Sequence, residues 1–264
     1  MKNNIKEFDA EPFDLTKILN SVQSFSLQSS SQEKVLVILG ATATGKSSLA
    51  MKLAEKLETE IISADSMSVY KNFNIGTAKP TAQELKKIRH HLINILEPNE
   101  KFSVAEFVNR AEKIITEINL RGKIPIVVGG TGLYIQALIE GYKFKDAAKS
   151  QEKIFSDTGE LKYNALVIGL TANRQKLYER INERTKKMFD AGLVEEVQKL
   201  LSAGVNPNSQ AMLGIGYKET VEYLQGAATL EETISKVSQA TRNFAKRQLT
   251  WYRRMNYIKF FNVE

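Results

Sequence analysis

Residues 35–50 read VLVILGATATGKSSLA, and this stretch limits what the chain can fold into more than any other. Val35 to Leu39 form an unbroken apolar run into Gly40, and after Ala41, Thr42, Ala43 and Thr44 come Gly45, Lys46 and Ser47. A short buried strand, a loop of spacing G-x-x-x-x-G-K-[ST] and a following helix make a phosphate-binding loop. The two glycines let the loop curl so that successive backbone N–H groups point inward. The helix adds unpaired N–H groups and the positive end of its dipole. Lys46 supplies a point charge and Ser47 a hydroxyl for magnesium. The expected fold is α/β: a P-loop-type parallel sheet flanked by helices, with a C-terminal helical segment. The expected ligand carries a diphosphate or triphosphate.

Nucleotide hydrolases place an Asp at the end of a second apolar strand to order magnesium. Ile61-Ile62-Ser63-Ala64-Asp65 is a short match. The other apolar strand, Ile124 to Val128, runs into Gly129-Gly130-Thr131 with no acid. That ending disfavours an ordinary ATPase or kinase.

With 264 residues, 42% of them apolar, the chain can bury one α/β core. It has no cysteine, which excludes disulfides, thiolate zinc sites and a cysteine nucleophile and fits a reducing cytoplasm. No apolar run reaches membrane-spanning length and no secretory pattern opens the chain, so a soluble protein without a membrane partner is expected. The formal charge is +7. Between Glu232 and Glu264 there is no acid, while Lys236, Arg242, Lys246, Arg247, Arg253, Arg254 and Lys259 are all cationic. A one-sign tail points to a polyanion, nucleic acid first.

Along the chain, residues 1–33 read as a flexible N-terminal extension with one weak helical turn. Residues 34–141 form the P-loop core. Asp65 ends the second strand, at the sheet edge where ligands bind, and so faces the crevice with Lys46. Thr81 caps a helix. His90 and His91 precede a strand at Leu92 to Leu96 and suit packing or hydrogen bonding better than metal. Ser103 caps a helix through Leu120, and Thr131 presents its hydroxyl at the crevice mouth. Residues 164–264 supply one further strand and C-terminal helices. Arg180 and Arg184, one turn apart, can face one anion. On the last helix, about Glu231 to Met255, Val237, Ala240, Phe244, Trp251 and Met255 form the docking stripe, with Arg242, Lys246 and Arg253 opposite.

The segments GATATGKSSLA (40–50), SADSMSVY (63–70), NIGTAKP (74–80), HHL (90–92), VVGGTGLY (127–134), GIGYKE (214–219) and TRNFAKRQLTWYRR (241–254) together resemble the tRNA dimethylallyltransferase, or tRNA isopentenyltransferase, family. The resemblance spans almost everything from residue 35 to 256. It implies transfer of a dimethylallyl group from its diphosphate to N6 of an adenine beside the tRNA anticodon. It implies that Gly40, Ala41, Thr42, Ala43, Thr44, Gly45, Lys46 and Ser47 hold the donor's diphosphate. Asp65 becomes the base taking the N6 proton and Thr131 a hydroxyl at the reacting centre. Lys46, Ser47 with Mg2+, and Arg184 neutralise the departing diphosphate. The residues matching tRNA-contacting segments are Asp65, Ser66, Met67 and Ser68, then Gly214, Ile215, Gly216, Tyr217 and Lys218, and finally Lys246, Arg247, Gln248, Trp251 and Arg253. The implied protein is a cytoplasmic monomer with tRNA and dimethylallyl diphosphate as partners.

The chain departs from the family at Ser68, Asn74 and Asn94, where Gln, Asp and Asp are usual. Residues 142–163 look like the shortened remnant of a helical insertion that clamps the anticodon stem, which predicts a weaker hold on tRNA. Three other functions compete with the main one: an adenylate isopentenyltransferase, a small-molecule P-loop kinase, and an RNA-binding homologue of reduced activity.

Overall fold

The computed structural model describes residues 9–144, 153–154 and 160–264. Its centre is β2 (Lys34–Gly40), buried at every residue except the first. The strand lies in a seven-stranded sheet ordered β1 (Ala10–Pro12), β9 (Lys259–Asn262), β8 (Asn164–Thr171), β2, β5 (Ile126–Gly129), β3 (Ile61–Ser63) and β4 (His90–His91). All its pairings are parallel. A strand covered on both faces has no polar side to alternate with, hence the unbroken apolar run. Alternate side chains still go to opposite faces. Val35, Val37 and Leu39 join Phe107, Ala111, Ile115 and Leu138 on one side, while Leu36 and Ile38 join Ile18, Val22, Leu49 and Leu53 on the other.

Helices make the crossovers: α2 (Lys46–Lys56), α3 (Ala82–Lys87), α4 (Val104–Leu120) and α5 (Gly132–Ile139) on the way out to β4 and back past β5. Then α6 (Arg174–Asp190), α7 (Leu193–Ser202), α8 (Tyr217–Leu224) and α9 (Leu230–Tyr252) connect β8 to β9. The chain first builds the sheet to one side of β2 and later to the other. The carboxyl ends of β5, β2 and β8 therefore meet where the strand order reverses, which is where open parallel sheets bind ligands. A separate antiparallel pair, β6 (Lys143–Phe144) with β7 (Lys153–Ile154), lies within 142–163; the rest of that segment's centre is outside the described residues.

Four expectations need correction. Residues 10–27 are not a loose extension: β1 adds to the sheet edge against β9, and α1 (Leu15–Leu27) packs on the core. Asp14 caps α1, accepting from the N–H groups of Thr16 and Lys17 at 2.8 and 3.2 Å. Lys34 Nζ closes its far end on the carbonyls of Phe25, Ser26 and Gln28. The Ser/Gln-rich composition masks a helical stripe of Leu15, Ile18, Leu19, Val22 and Phe25. Second, the strand expected at Leu92 to Leu96 is instead His90–His91; Leu92 and Asn94, at φ +61° and +55°, break extended structure. Third, residues 164–264 contribute two strands, because Lys259–Asn262 pairs with both β8 and β1. Fourth, α9 docks through Thr233, Val237, Ser238, Ala245, Gln248 and Tyr252. Val237 and Met255 of the expected stripe are buried and Trp251 packs against the core, but Ala240 and Phe244 are only half-buried, because an apolar stripe cannot register buried polar residues.

Replacing Ile18, fully buried against β2, with Ala is expected to destabilise the protein by about 2–4 kcal/mol in urea unfolding. A loosely attached segment would give no measurable change.

Candidate active site

The phosphate loop joins β2 to α2. Gly45 is the N-cap of α2 at φ +86°, a left-handed conformation that suits glycine, and no side chain caps the helix. α5 likewise begins at Thr131 without a side-chain cap. α7 and α8 also start without one, at Gly192 and Gly216, whereas α1, α3, α4, α6 and α9 are capped by Asp14, Thr81, Ser103, Asn173 and Thr229. Two helix N-termini at the carboxyl edge of the sheet thus keep first-turn N–H groups available to an anion. The loop is held by Thr44 Oγ1 donating to Ala41 O at 2.8 Å and Lys46 Nζ donating to the same oxygen at 3.3 Å. Thr42 is gripped twice: its N–H donates to Gln248 Oε1 at 2.9 Å, and its hydroxyl accepts from Arg184 at 3.3 Å.

The facing wall comes from the residues after β3 and β5. Asp65 Oδ1 accepts from the N–H groups of Met67 at 2.8 Å and Ser68 at 3.1 Å, which fixes the carboxylate at the strand end. Thr131 Oγ1 accepts from Ser66 N–H at 3.2 Å, so its own hydrogen remains to donate. Between these walls is a cleft of about 480 Å³, lined among others by Thr42, Lys46, Ser47, Asp65, Thr131 and Arg184. That volume suits a small organic ligand.

Burial pushes the Lys46 ammonium down to about 8, helped by the neighbouring Arg184 and opposed by Asp65. Burial also lowers Arg184, again opposed by Asp65. Lys79 falls to about 8 through burial, opposed by Glu196 and Asp65. Asp65 is thus the carboxylate common to three desolvated cations. Such a site lacks negative charge, and a bound polyanion would supply it.

The structure brings most of the expected residues together. Ser66, Met67 and Ser68 line the cleft beside Asp65; Gly214 and Ile215 line it from the loop before α8, Tyr217 from the first residue of α8, and Arg247 and Gln248 from α9. Gly40 and Ala41 are buried beneath the loop, while Lys218, Lys246 and Arg253 are exposed and Trp251 is half-buried. Arg180 does not join Arg184: its guanidinium donates to Val263 O at 3.1 Å. Arg242, expected on the free cationic face, donates to Asn182 and Gln239. The histidines have hydrogen-bonding roles, His91 Nε2 with Glu60 at 2.6 Å and His90 Nδ1 with Ile88 O at 2.8 Å. Sequence reading missed Lys79, whose Nζ reaches Asn94 Oδ1 at 2.7 Å and the Tyr70 carbonyl. It also missed Glu196, which accepts from Tyr217 OH at 2.6 Å and from the backbone of Asn74 and Ile75. The length of the 70–80 loop hinted at Lys79; nothing in the sequence singled out Glu196 on a helix of mixed charges.

Fold and site together define a P-loop-type α/β protein with an uncapped helix start and a tethered carboxylate on facing walls of one cleft. The family model described as IPP transferase matches residues 68–158 and 144–255. The tRNA dimethylallyltransferase of Carboxydothermus hydrogenoformans is 44% identical over 87% of this chain and 92% of its own length. The solved full-length tRNA isopentenylpyrophosphate transferase of Bacillus halodurans superposes with a TM-score of 0.79 at 38% identity, covering 88% of this chain and 90% of that one. A eukaryotic dimethylallyltransferase, solved acting on tRNA, gives 0.76 at 27% identity over 87% and 74%. The chain belongs to the IPP transferase family.

An anion bound beside Lys46 restores its charge, so binding at pH 8 to 9 takes up a proton and affinity falls as pH rises past about 8. Calorimetry with inorganic diphosphate in buffers of different ionisation enthalpy should show this uptake. Correction for diphosphate's own protonation must leave it in place.

Proposed function

We propose that the chain transfers a dimethylallyl group from dimethylallyl diphosphate to N6 of an adenine in the tRNA anticodon loop. The observation that carries this reading is the pairing, across one cleft, of an uncapped phosphate loop with a carboxylate held at a strand end. An adenine N6 is a weak nucleophile because its lone pair is conjugated with the ring. As N6 bonds to C1 of the dimethylallyl group, the C1–O bond breaks and diphosphate leaves with the electron pair. Asp65 accepts the N6 proton, a role that contributes typically ~10²–10⁴-fold. Lys46, Arg184 and the N-terminus of α2 meet the growing charge on the diphosphate, in place before it develops. Thr131 donates its hydroxyl at the same wall. The adenine must leave its stack to reach this depth.

Magnesium fits the site on its donor set. Ser47 is exposed on the first turn of α2 beside the loop. Among the described residues no group of three acidic or imidazole side chains could hold a metal alone. Ser47 and the donor's phosphate oxygens would therefore hold the ion, the manner in which Mg2+ binds with few protein ligands. It would supply charge neutralisation to the leaving diphosphate.

The acceptor is an RNA on the evidence of charge: Lys246, Arg247 and Arg253 are exposed on or just beyond one helix, and Arg247 lines the cleft. Its hold on the RNA is reduced. The alignment to the Carboxydothermus relative covers 287 positions, although 87% of 264 residues is only about 230. The family match breaks into two pieces that meet at 144–158. A shortened segment there removes contact area from any RNA lying across it.

Incubation with labelled dimethylallyl diphosphate, Mg2+ and unmodified tRNA is expected to place label in the RNA, with none in AMP and no phosphate released from ATP. Asp65→Asn should lower turnover by about 10²-fold or more while leaving donor binding within a few-fold. An anticodon stem-loop should bind more weakly than nanomolar at physiological salt; nanomolar binding would overturn the reduced hold.

A further inference from the structure

Gln248 matches a segment expected to touch RNA, yet it is only 4% exposed. Its Oε1 accepts from Thr42 N–H in the phosphate loop at 2.9 Å, and its Nε2 donates to Gly130 O at 2.8 Å. We infer that Gln248 is a positioning residue that braces the phosphate loop against the end of β5, so that α9, which also carries RNA-facing cations, sets the shape of the diphosphate cradle. This rests on the reading of that loop as the donor's diphosphate site.

The brace needs an amide. It meets a donor at one end and an acceptor at the other, so one orientation satisfies both, and reversal would set donor against donor and acceptor against acceptor. A carboxylate offers two acceptors, an ammonium only donors, and an aliphatic chain neither. The surroundings fit this side chain closely. A Cβ at Gly130 would strike Gln248 Nε2. Tyr252, one turn further along α9, adds a second donor to Gly130 O at 2.9 Å.

Each anchor continues into the machinery of the cleft. Thr42 carries the contact with Arg184, and its N–H is directed to α9 rather than into the cradle. Gly130 precedes Thr131 and the uncapped start of α5. One side chain therefore fixes the separation of the two walls between which the donor and the base must meet. Arg247, its immediate neighbour, is exposed and lines the cleft. The same helical turn thus offers a cation at the surface and a brace beneath it.

The test compares wild type with Gln248→Ala and Gln248→Glu in two binding measurements: inorganic diphosphate with Mg2+ by calorimetry, and an anticodon stem-loop RNA by fluorescence anisotropy. Gln248→Ala should weaken diphosphate binding by about tenfold or more, because Thr42 N–H and Gly130 O both lose a buried partner. RNA affinity should stay within about twofold. Gln248→Glu keeps the shape, and it serves as the readout if the Ala variant does not fold. At pH 8 its carboxylate opposes Gly130 O and diphosphate binding is weak. Below about pH 6 the protonated carboxyl can donate to that oxygen, and affinity relative to wild type recovers.

Loss of RNA affinity with diphosphate affinity intact would overturn the inference and make the side chain an RNA contact. So would a Glu variant whose affinity relative to wild type does not change with pH. Failure of wild type to transfer the dimethylallyl group, with diphosphate bound normally, would count against the proposed function alone.

Discussion

The arrangement depends on charge held out of water. Burial lowers the pKa of Lys46, Lys79 and Arg184, and Asp65 is the negative group common to all three. Like charges brought together in a low-dielectric cleft repel more than they would in solvent. The fold holds them there in two ways: Lys46 begins a helix and Arg184 lies within one, while Asp65 and Lys79 sit on loops tied down by hydrogen bonds to the backbone. The result is a cavity whose cations outnumber the nearby carboxylate, so on the proposed reading a diphosphate would bind and relieve their repulsion in the same event.

The parts of the fold written in local chemistry were legible. The phosphate loop, the Thr81 and Ser103 caps and the run of helices from Asn173 to Leu224 all follow from spacing that neighbouring residues decide among themselves. What stayed hidden depends on partners far away in sequence. Helix α1 looks like polar, mobile chain until β2, α2 and β9 are placed beneath it. β9 is four residues long and becomes a strand because β8 and β1 lie on either side.

The site divides along the same line. Asp65 and Thr131 could be located because each ends a strand, and strand ends face the crevice. Glu196 could not, because its value comes from meeting the loop at Asn74 and Ile75, more than a hundred residues earlier. Gln248 was visible as part of a matching segment, but its burial and its hydrogen bonds to Thr42 and Gly130 were not. A residue embedded in a cationic helix reads as part of its solvent face, and burial alone reverses that. Arg180 and Arg242 show the complementary case, in which a cation that looks available is engaged by the protein's own oxygens.

The parallel pairing of β1 with β9 has a consequence for folding. Ala10 lies beside Phe260, so one edge of the sheet joins two strands far apart in the chain. Few contacts in the molecule close a longer loop of chain, and such contacts form late because the entropy of closure must be met first. Helix α1 can pack early on β2 and α2, but β1 must wait for β9, and the outer edge of β8 stays open until Lys259 to Asn262 dock. An exposed strand edge invites pairing with other chains. Until β9 docks, the outer edge of β8 is where this protein is most open to misassembly, and Lys259 to Asn262 are what close it.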